Sequence, residues 1–152
     1  HHMSRPAGLA GDPVEFAAMT EISIIAHLAD TAFARRLPDG LTTAQFAVLN
    51  HLLRLEAEQT IGELARALQV SQPTMSSTVR RLEEKGLISL VPDSDDRRIR
   101  RVSVNRSGAA VRNKAVHALD ASKKDLAVLS QEEWKQLLPL LNRLRIALDA
   151  AR

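Results

Sequence analysis

Four arginines and three aspartates lie within nine residues of one another, in the segment DSDDRRIRR at positions 93–101. An arginine can enter a narrow DNA minor groove, where the negative potential is enhanced. A nearby carboxylate can hold the guanidinium by a two-pronged pair, so that less conformational entropy is lost on binding. We predict that Arg98 enters the minor groove, that Asp96 orients it, and that Arg97 and Arg100 are further contacts. The alternative is that this charged run is only solvated surface.

A polar helix with a second set of DNA-contacting groups precedes this segment. In SQPTMSSTVRRLEEKG, Ser71 is an N-cap candidate, and Met75, Val79 and Leu82 share one inward face. Short hydroxyl side chains on the outer face permit close approach, a glutamine can pair with adenine, and arginines can contact phosphate or guanine. The predicted contacts on this outer face are Gln72, Thr74, Ser76, Ser77, Arg80 and Arg81.

Two short helices and a hairpin must position these side chains. The first helix begins at Thr60, a tight turn at Val70-Ser71 follows, and Gly86 ends the second helix. Strand-like runs at 87–91 and 99–104 flank a turn at 92–96. This is the layout of a helix-turn-helix whose second helix enters the major groove, with a hairpin wing beside it. A plain helical hairpin with a solvated face is the alternative.

Longer helices flank this region on both sides. One is predicted from Val14 to Leu37, before Pro38-Asp39-Gly40, and one from Asn105 to about Leu129. Capping boxes predict the remaining helix starts at Thr42 with Gln45, at Thr60 with Glu63 and at Ser130 with Glu133. The predicted fold is mainly α with a small β-hairpin wing, in the order α-α-α-α-β-β-α-α.

The terminal helices carry apolar stripes that suggest a dimer interface. Met19, Ile22, Ala26, Ala29 and Phe33 recur at helical spacing, and leucines recur from Leu137 to Leu148. A first helix of 24 residues would extend about 36 Å, more than one small winged lobe can cover. We therefore predict a helical dimerisation region at 14–40 and 106–152 and a DNA-binding domain at 41–105. The predicted dimer contacts are Met19, Ile22, Leu137, Leu141, Leu144 and Leu148.

The composition fits a globular DNA-binding protein and excludes several chemistries. The chain has 152 residues, no cysteine and a formal net charge of +3, so disulfides and thiolate metal sites are excluded. Residues 1–70 carry five basic and eight acidic side chains, whereas residues 71–106 carry eight basic and five acidic ones. No apolar run approaches a membrane span of about 20 residues, and no signal peptide is recognised, so we expect a cytoplasmic protein. Residues 1–13 are predicted to be a tag remnant (His1, His2, Met3) and a flexible arm.

Residues 41–108 resemble the winged helix-turn-helix of the MarR family of bacterial transcriptional regulators. The matching pieces are LTTAQFAVL, TIGELARALQVSQPTMSSTVRRLEEKGLI and DSDDRRIRRVSVNRSG. The resemblance implies a homodimer with two winged lobes, a reading surface at Thr74, Ser76, Ser77 and Arg80, and a wing pair at Asp96 and Arg98. Ser77 and Leu90 depart from the family pattern, since many relatives have arginine at both positions.

The resemblance also implies a ligand, because family members often respond to small phenolic or aromatic-acid molecules. The candidate ligand-binding residues are Phe16, His27, Phe46, His51 and His117. A structural role for each of these side chains is the alternative. We predict no metal site and no cofactor, since the sequence shows no tight cluster of metal-ligating residues.

The function hypotheses follow in order. The first is a ligand-responsive homodimeric repressor that binds a pseudo-palindromic duplex. The second is a constitutive or architectural DNA-binding dimer. The third is an enzyme, and the fourth is an adaptor of the same fold that no longer binds DNA. An enzyme is not predicted, because the sequence contains no phosphate-binding glycine loop and no nucleophile elbow.

Overall fold

The computed structural model describes residues 9–152, so the predicted tag remnant and most of the predicted arm lie outside the described residues. Residues 9–13 form a turn in which Leu9 N donates to Asp12 Oδ2 at 2.8 Å. The helices are α1 (Val14–Ala34), α2 (Thr43–Leu55), α3 (Ile61–Leu68), α4 (Gln72–Glu84), α5 (Arg106–Val116), a 3₁₀ helix (His117–Ser122), α6 (Lys123–Leu126) and α7 (Gln131–Ala150). The strands are β1 (Gln59–Thr60), β2 (Ile88–Pro92) and β3 (Arg100–Val104).

The mainly helical fold with a hairpin wing is confirmed, but the predicted element order lacked β1. The sheet is antiparallel in the order β1-β3-β2, and Thr60 of β1 pairs with Arg101 of β3. A strand of two residues has no alternating pattern that a sequence can show. It forms because the second edge of β3 offers free backbone groups to the residues that lead into α3.

Both wing strands begin one residue later than predicted. Ile99 N donates to Asp96 O at 3.0 Å in the turn, and β3 begins at Arg100. Leu87 N donates to Leu82 O after Gly86, whose φ of 72° ends the preceding helix as predicted. The strand register pairs Val91 with Arg101, and Pro92 with Arg100 is the last pair of β2 and β3.

The predicted helix caps are confirmed. Both reciprocal hydrogen bonds are present in the boxes that begin at Thr42, Thr60 and Ser130. Ser71 accepts from the backbone N–H of Thr74, and Asn105 accepts from that of Gly108. The ends of these helices are therefore fixed by local side-chain chemistry, independently of packing.

The winged region builds a core of its own. Leu49, Leu64, Leu82, Val79 and Val102 are fully buried, and the inward face predicted for α4 is confirmed. α5 packs so closely on this core that a Cβ at Gly108 would collide with the Leu87 carbonyl and with Val104.

The long helices differ from their predictions in length and burial. α1 ends at Ala34, three residues early, and none of its residues is fully buried. Of its predicted stripe, Phe33 packs on Phe46 at the margin of the core. The helix that Asn105 caps ends at Val116 instead of continuing to Leu129. The 3₁₀ turn that follows contains Asp120 and Ser122, whose short polar side chains compete with helical backbone bonds.

Residues 119–152 form a compact unit separate from the preceding residues. Within this unit Trp134 Nε1 donates to the Leu126 carbonyl at 3.0 Å. α7 has no buried residue, although it carries six leucines. Among the described residues, no helix is both long enough and apolar enough to span a bilayer.

Candidate nucleic-acid interface

The outer face of α4 presents most of the predicted contacts to solvent. Its inner face is fixed in the core by Met75, Val79 and Leu82. Ser77 is half-buried, whereas the other predicted positions are exposed: Gln72, Thr74, Ser76, Arg80 and Arg81. Ser77 therefore has less free surface than the sequence suggested.

Local hydrogen bonds order the beginning and end of this face. Ser71 Oγ donates to Thr74 Oγ1 at 2.8 Å, which orients the Thr74 hydroxyl at the helix N-terminus. Arg80 lies 3.8 Å from Glu84 one turn away, and both side chains are more than half exposed. A pair this loose and solvated contributes little to stability, so Arg80 is available for a stronger anionic partner.

A lysine at the end of α4 connects this helix to the start of α2. Lys85 Nζ donates to Gln45 Oε1 at 2.7 Å and to the Gly40 carbonyl at 3.0 Å. The same Gln45 oxygen accepts from Thr42 N in the capping box. The sequence predicted the capping box but not this contact, since 40 residues separate Lys85 from Gln45.

The tip of the wing contains the predicted arginine–aspartate pair. Arg98 Nε donates to Asp96 Oδ1 at 3.0 Å, Nη2 donates to Oδ2 at 2.9 Å, and Arg98 N also donates to Oδ1. These bonds from Arg98, the side-chain bonds first, hold the pKa of Asp96 below its usual value, and the same pair raises the pKa of Arg98. The Arg98 side chain remains 90% exposed, so its orientation is restrained while its surface stays accessible.

A second arginine–carboxylate cluster lies at the root of the wing. Arg101 Nε donates to Asp93 Oδ1 at 2.7 Å, and Nη1 donates to Glu63 Oε1 of α3 at 3.3 Å. Asp93 Oδ2 accepts from the backbone N–H groups of Asp95 and Asp96, both at 3.0 Å. The Arg101 hydrogen bond, followed by these backbone bonds, lowers the pKa of Asp93.

The sequence did not single out this second cluster. Arg101 was not among the predicted DNA contacts. Arg97 and Arg100 are exposed, whereas Arg101 is half-buried. The signal that could have identified it is the spacing across the hairpin, because the turn returns the chain to Asp93 after eight residues.

Leu90, one of the two departures from the family pattern, packs on the hydrophobic core. It is half-buried in β2, opposite the fully buried Val102 of β3. An apolar side chain at this position stabilises the base of the wing, where an arginine would instead leave its charge at the edge of the core.

The candidate ligand-binding residues have different environments. Phe46 packs edge-on against Phe33, with ring centroids 4.9 Å apart, and His51 Nε2 lies 3.0 Å from Gln59 Oε1. These two contacts favour a structural role for Phe46 and His51. The remaining candidates are exposed: Phe16, His27 and His117.

The predicted dimer residues are poorly covered by their own chain. Ile22, Leu137 and Leu141 are half-buried. Met19, Leu144 and Leu148 are exposed, at 41%, 43% and 57%. Each helix therefore keeps apolar surface that its own chain does not bury.

Two of the three aspartates of the wing are committed to arginines and backbone amides. Asp93 and Asp96 each accept hydrogen bonds from an arginine side chain. Between residues 9 and 152, no group of three or more acidic or histidine side chains is arranged to hold a metal ion. The arrangement can restrain cationic groups and present them to a polyanion.

Comparison with known proteins supports the interpretation of α4 and the wing as a nucleic-acid interface. A sequence model described as the MarR family matches residues 39–99. The transcriptional activatory protein BadR of Rhodopseudomonas palustris is 41% identical over 75 residues, which are 48% of this chain and 43% of BadR. The chain thus aligns with less than half the length of this curated relative.

Two solved structures extend the similarity beyond the winged region. A point mutant of MepR from Staphylococcus aureus, bound to an oligodeoxyribonucleotide, is 26% identical, with a TM-score of 0.60 over 86% of this chain and 97% of that one. The organohalide-sensing regulator RdhR-CbdbA1625 in its 2,4-dichlorophenol-bound form is also 26% identical. Its TM-score is 0.66, over 95% of this chain and 86% of that one.

Proposed function

We propose that this chain, whose winged helix-turn-helix region belongs to the MarR family, is a homodimeric transcriptional regulator that binds a pseudo-palindromic DNA site. The observation that carries the proposal is the pairing of two surfaces in one winged region. One is the exposed polar face of α4, and the other is the restrained but 90% exposed Arg98 at the wing tip. A major-groove helix beside a minor-groove wing uses these two surfaces together.

In the proposed complex α4 enters the major groove and the wing follows the adjacent minor groove. Thr74 and Ser76 are short enough for the helix to approach base edges, and Gln72 reads adenine. Arg80 and Arg81 contact phosphate or guanine, whereas Arg98 enters the minor groove. Because Asp96 already holds the Arg98 guanidinium, binding orders one long side chain fewer.

A symmetric dimer is proposed from the exposed apolar surface of the terminal helices. α1 and α7 have no buried residue, yet both carry large apolar side chains. Large exposed apolar surfaces on a soluble protein mark interaction sites. A second copy would cover them and place two reading helices about one DNA turn apart, which matches a pseudo-palindrome.

Ligand input and the direction of regulation are the finer parts of the proposal. The structurally similar RdhR-CbdbA1625 is named as organohalide-sensing and holds 2,4-dichlorophenol, which favours a small aromatic effector here as well. We predict repression from the family resemblance, whereas the relative BadR is named a transcriptional activatory protein. A reporter placed downstream of the recovered site distinguishes the two, since repression lowers its output and activation raises it. Regulation of this kind requires no catalysis, and we expect it to occur in the cytoplasm.

Selection from a randomised duplex pool at about 0.15 M salt, followed by sequencing, tests the DNA-binding function. A pseudo-palindrome with half-sites about 10 bp apart is the expected result. If no motif is recovered and retention is weak and salt-sensitive, the adaptor or architectural hypothesis replaces the proposal. Repeating the selection with 2,4-dichlorophenol or benzoate tests the ligand, because an effector changes the yield of bound duplex and a constitutive binder does not respond.

A further inference from the structure

The two arginine–carboxylate clusters of the wing are parts of one continuous series of hydrogen bonds from Glu63 to Arg98, which we call the relay. Its inner half begins at Glu63 in the capping box of α3, passes to the Arg101 guanidinium at 3.3 Å and continues to Asp93 Oδ1 at 2.7 Å. Since α3 packs directly on α4, the inner half is fixed to the helix-turn-helix itself.

The outer half of the chain carries this restraint to the wing tip. Asp93 Oδ2 holds the backbone N–H groups of Asp95 and Asp96, and the Asp96 carboxylate holds the backbone and guanidinium of Arg98. Side-chain exposure rises along this half from 14% at Asp93 to 33% at Asp96 and 90% at Arg98. Within this half the bonds to Asp93 are therefore the least screened by water, and they support the most exposed group.

We propose that Asp93 and Arg101 are positioning residues for DNA binding, which fix the direction of Arg98 relative to the helix-turn-helix without touching DNA. This inference rests on the proposed function, since it takes Arg98 as a DNA contact. A hairpin tip held only by its strands can change its orientation relative to the rest of the domain. The chain of bonds from Glu63 to Arg98 removes that freedom before DNA arrives.

Asp93 allows a sharp test because both of its oxygens are in use. Oδ1 accepts from Arg101, while Oδ2 accepts from two backbone amides. An asparagine has one acceptor oxygen, so Asp93→Asn must give up one side of the relay. The same substitution removes a negative charge, and electrostatics alone would therefore strengthen DNA binding. The positioning role and the charge effect predict changes of opposite sign.

Asp95 supplies the matched control in the same turn. Its backbone N–H belongs to the relay, but its exposed carboxylate accepts no hydrogen bond among the described residues. Asp95→Asn therefore makes the same change in charge and leaves every bond of the relay in place.

The binding experiment measures the affinity of both variants for the duplex recovered by selection, by fluorescence anisotropy. Asp95→Asn should bind as tightly as the parent or more tightly, and Asp93→Asn should bind more weakly by on the order of tenfold. In an Arg98→Ala background the two variants should bind alike, because the group that Asp93 positions is gone. Equal affinities in the parent background, or a loss that persists without Arg98, would overturn the inference.

A measurement without DNA separates this inference from the proposed function. Amide hydrogen exchange is followed by NMR at Asp96 and Arg98 in the parent, in Arg101→Met and in Arg101→Lys. Arg101→Met should accelerate exchange in the wing turn while the amides of α3 keep their rates, and Arg101→Lys should restore part of the protection. Asp93→Asn replaces Arg101→Met if the latter does not fold. If the selection recovers no duplex, this arm decides alone: unchanged exchange overturns the relay, and acceleration confined to the wing upholds it.

Discussion

The winged region and the terminal helices differ in where their apolar side chains lie. Every buried apolar side chain among residues 9–152 falls between Leu41 and Ala115. α1 and α7 are the longest helices of the described chain, and neither buries a single residue. The winged region thus has its own core, whereas these two helices have only partly buried apolar side chains.

Their polar contacts differ in the same way. In the winged region and the adjoining α5, side chains join elements far apart in sequence, as in Lys85 with Gln45 and Arg112 with Asn50. Around α7, the described hydrogen bonds connect near neighbours, such as Trp134 with Leu126. Long-range bonds fix the geometry of the proposed DNA-binding surface, whereas the described bonds of α7 are local.

The largest expected effect sharpens this comparison through stability. Leu82→Ala removes a fully buried side chain of α4 and should lower the free energy of unfolding by about 2–5 kcal/mol. Leu144→Ala, on the exposed surface of α7, should leave the stability of the winged region within about 0.5 kcal/mol of the parent. Urea denaturation monitored by circular dichroism measures both. Similar losses in the two variants would contradict the division between core and interface.

The second prediction concerns a substitution that should disrupt the proposed dimer and leave the fold of each chain intact. Leu144→Asp places a charge on exposed apolar surface, so it should yield folded monomers that bind the recovered duplex at least about 100-fold more weakly. Asn142→Asp adds the same charge two residues away and is the control. Sedimentation equilibrium gives the oligomeric state. A Leu144→Asp protein that stays dimeric would place the interface elsewhere.

The third prediction concerns the wing tip. Arg98→Ala should weaken DNA binding by about 1–3 kcal/mol and relax the preference for A·T-rich flanks. Anisotropy with duplexes that differ only in their flanks measures both effects. Unchanged affinity would remove Arg98 from the interface.

The fourth prediction concerns α4, the helix proposed to enter the major groove, and its expected effect is smaller. If Arg81 contacts phosphate, Arg81→Ala should weaken binding to all sequences alike and lower the salt slope by about 1. Titrations at several salt concentrations on matched and scrambled duplexes provide the measurement. A loss confined to one base position would instead assign Arg81 to base recognition.

The smallest expected effect is the response of the wing to pH. The pKa values of Asp93 and Asp96 are lowered, so the stabilisation they provide is complete above their ordinary values near 3.9. It is lost only as the pH falls through the lowered pKa values. Carboxyl ¹³C shifts of both residues should therefore stay constant from about pH 8 to pH 5. In Arg98→Ala the pKa of Asp96 should rise, and an unchanged titration would mean that the pair does not form in solution.

Much of the local structure followed from short-range spacing in the sequence. The capping boxes at Thr42, Thr60 and Ser130 and the caps at Ser71 and Asn105 were all predicted correctly, because each needs only residues three positions apart. The inward face of α4 was equally visible in its helical spacing. The sequence did not predict β1 or the early end of α5. β1 depends on pairing with β3, and the end of α5 depends on a balance between two similar helical geometries.

The same distinction applies to the candidate site. The sequence by itself determined the Asp96–Arg98 pair, since two residues in one tight turn meet without help from the rest of the fold. Only the tertiary structure decided that Arg101 reaches Glu63, 38 positions away, and that Lys85 reaches Gln45, 40 positions away. Local hydrogen bonds depend on spacing that any reader of the chain can count. The long-range bonds exist because burial of one shared core brings distant polar groups together.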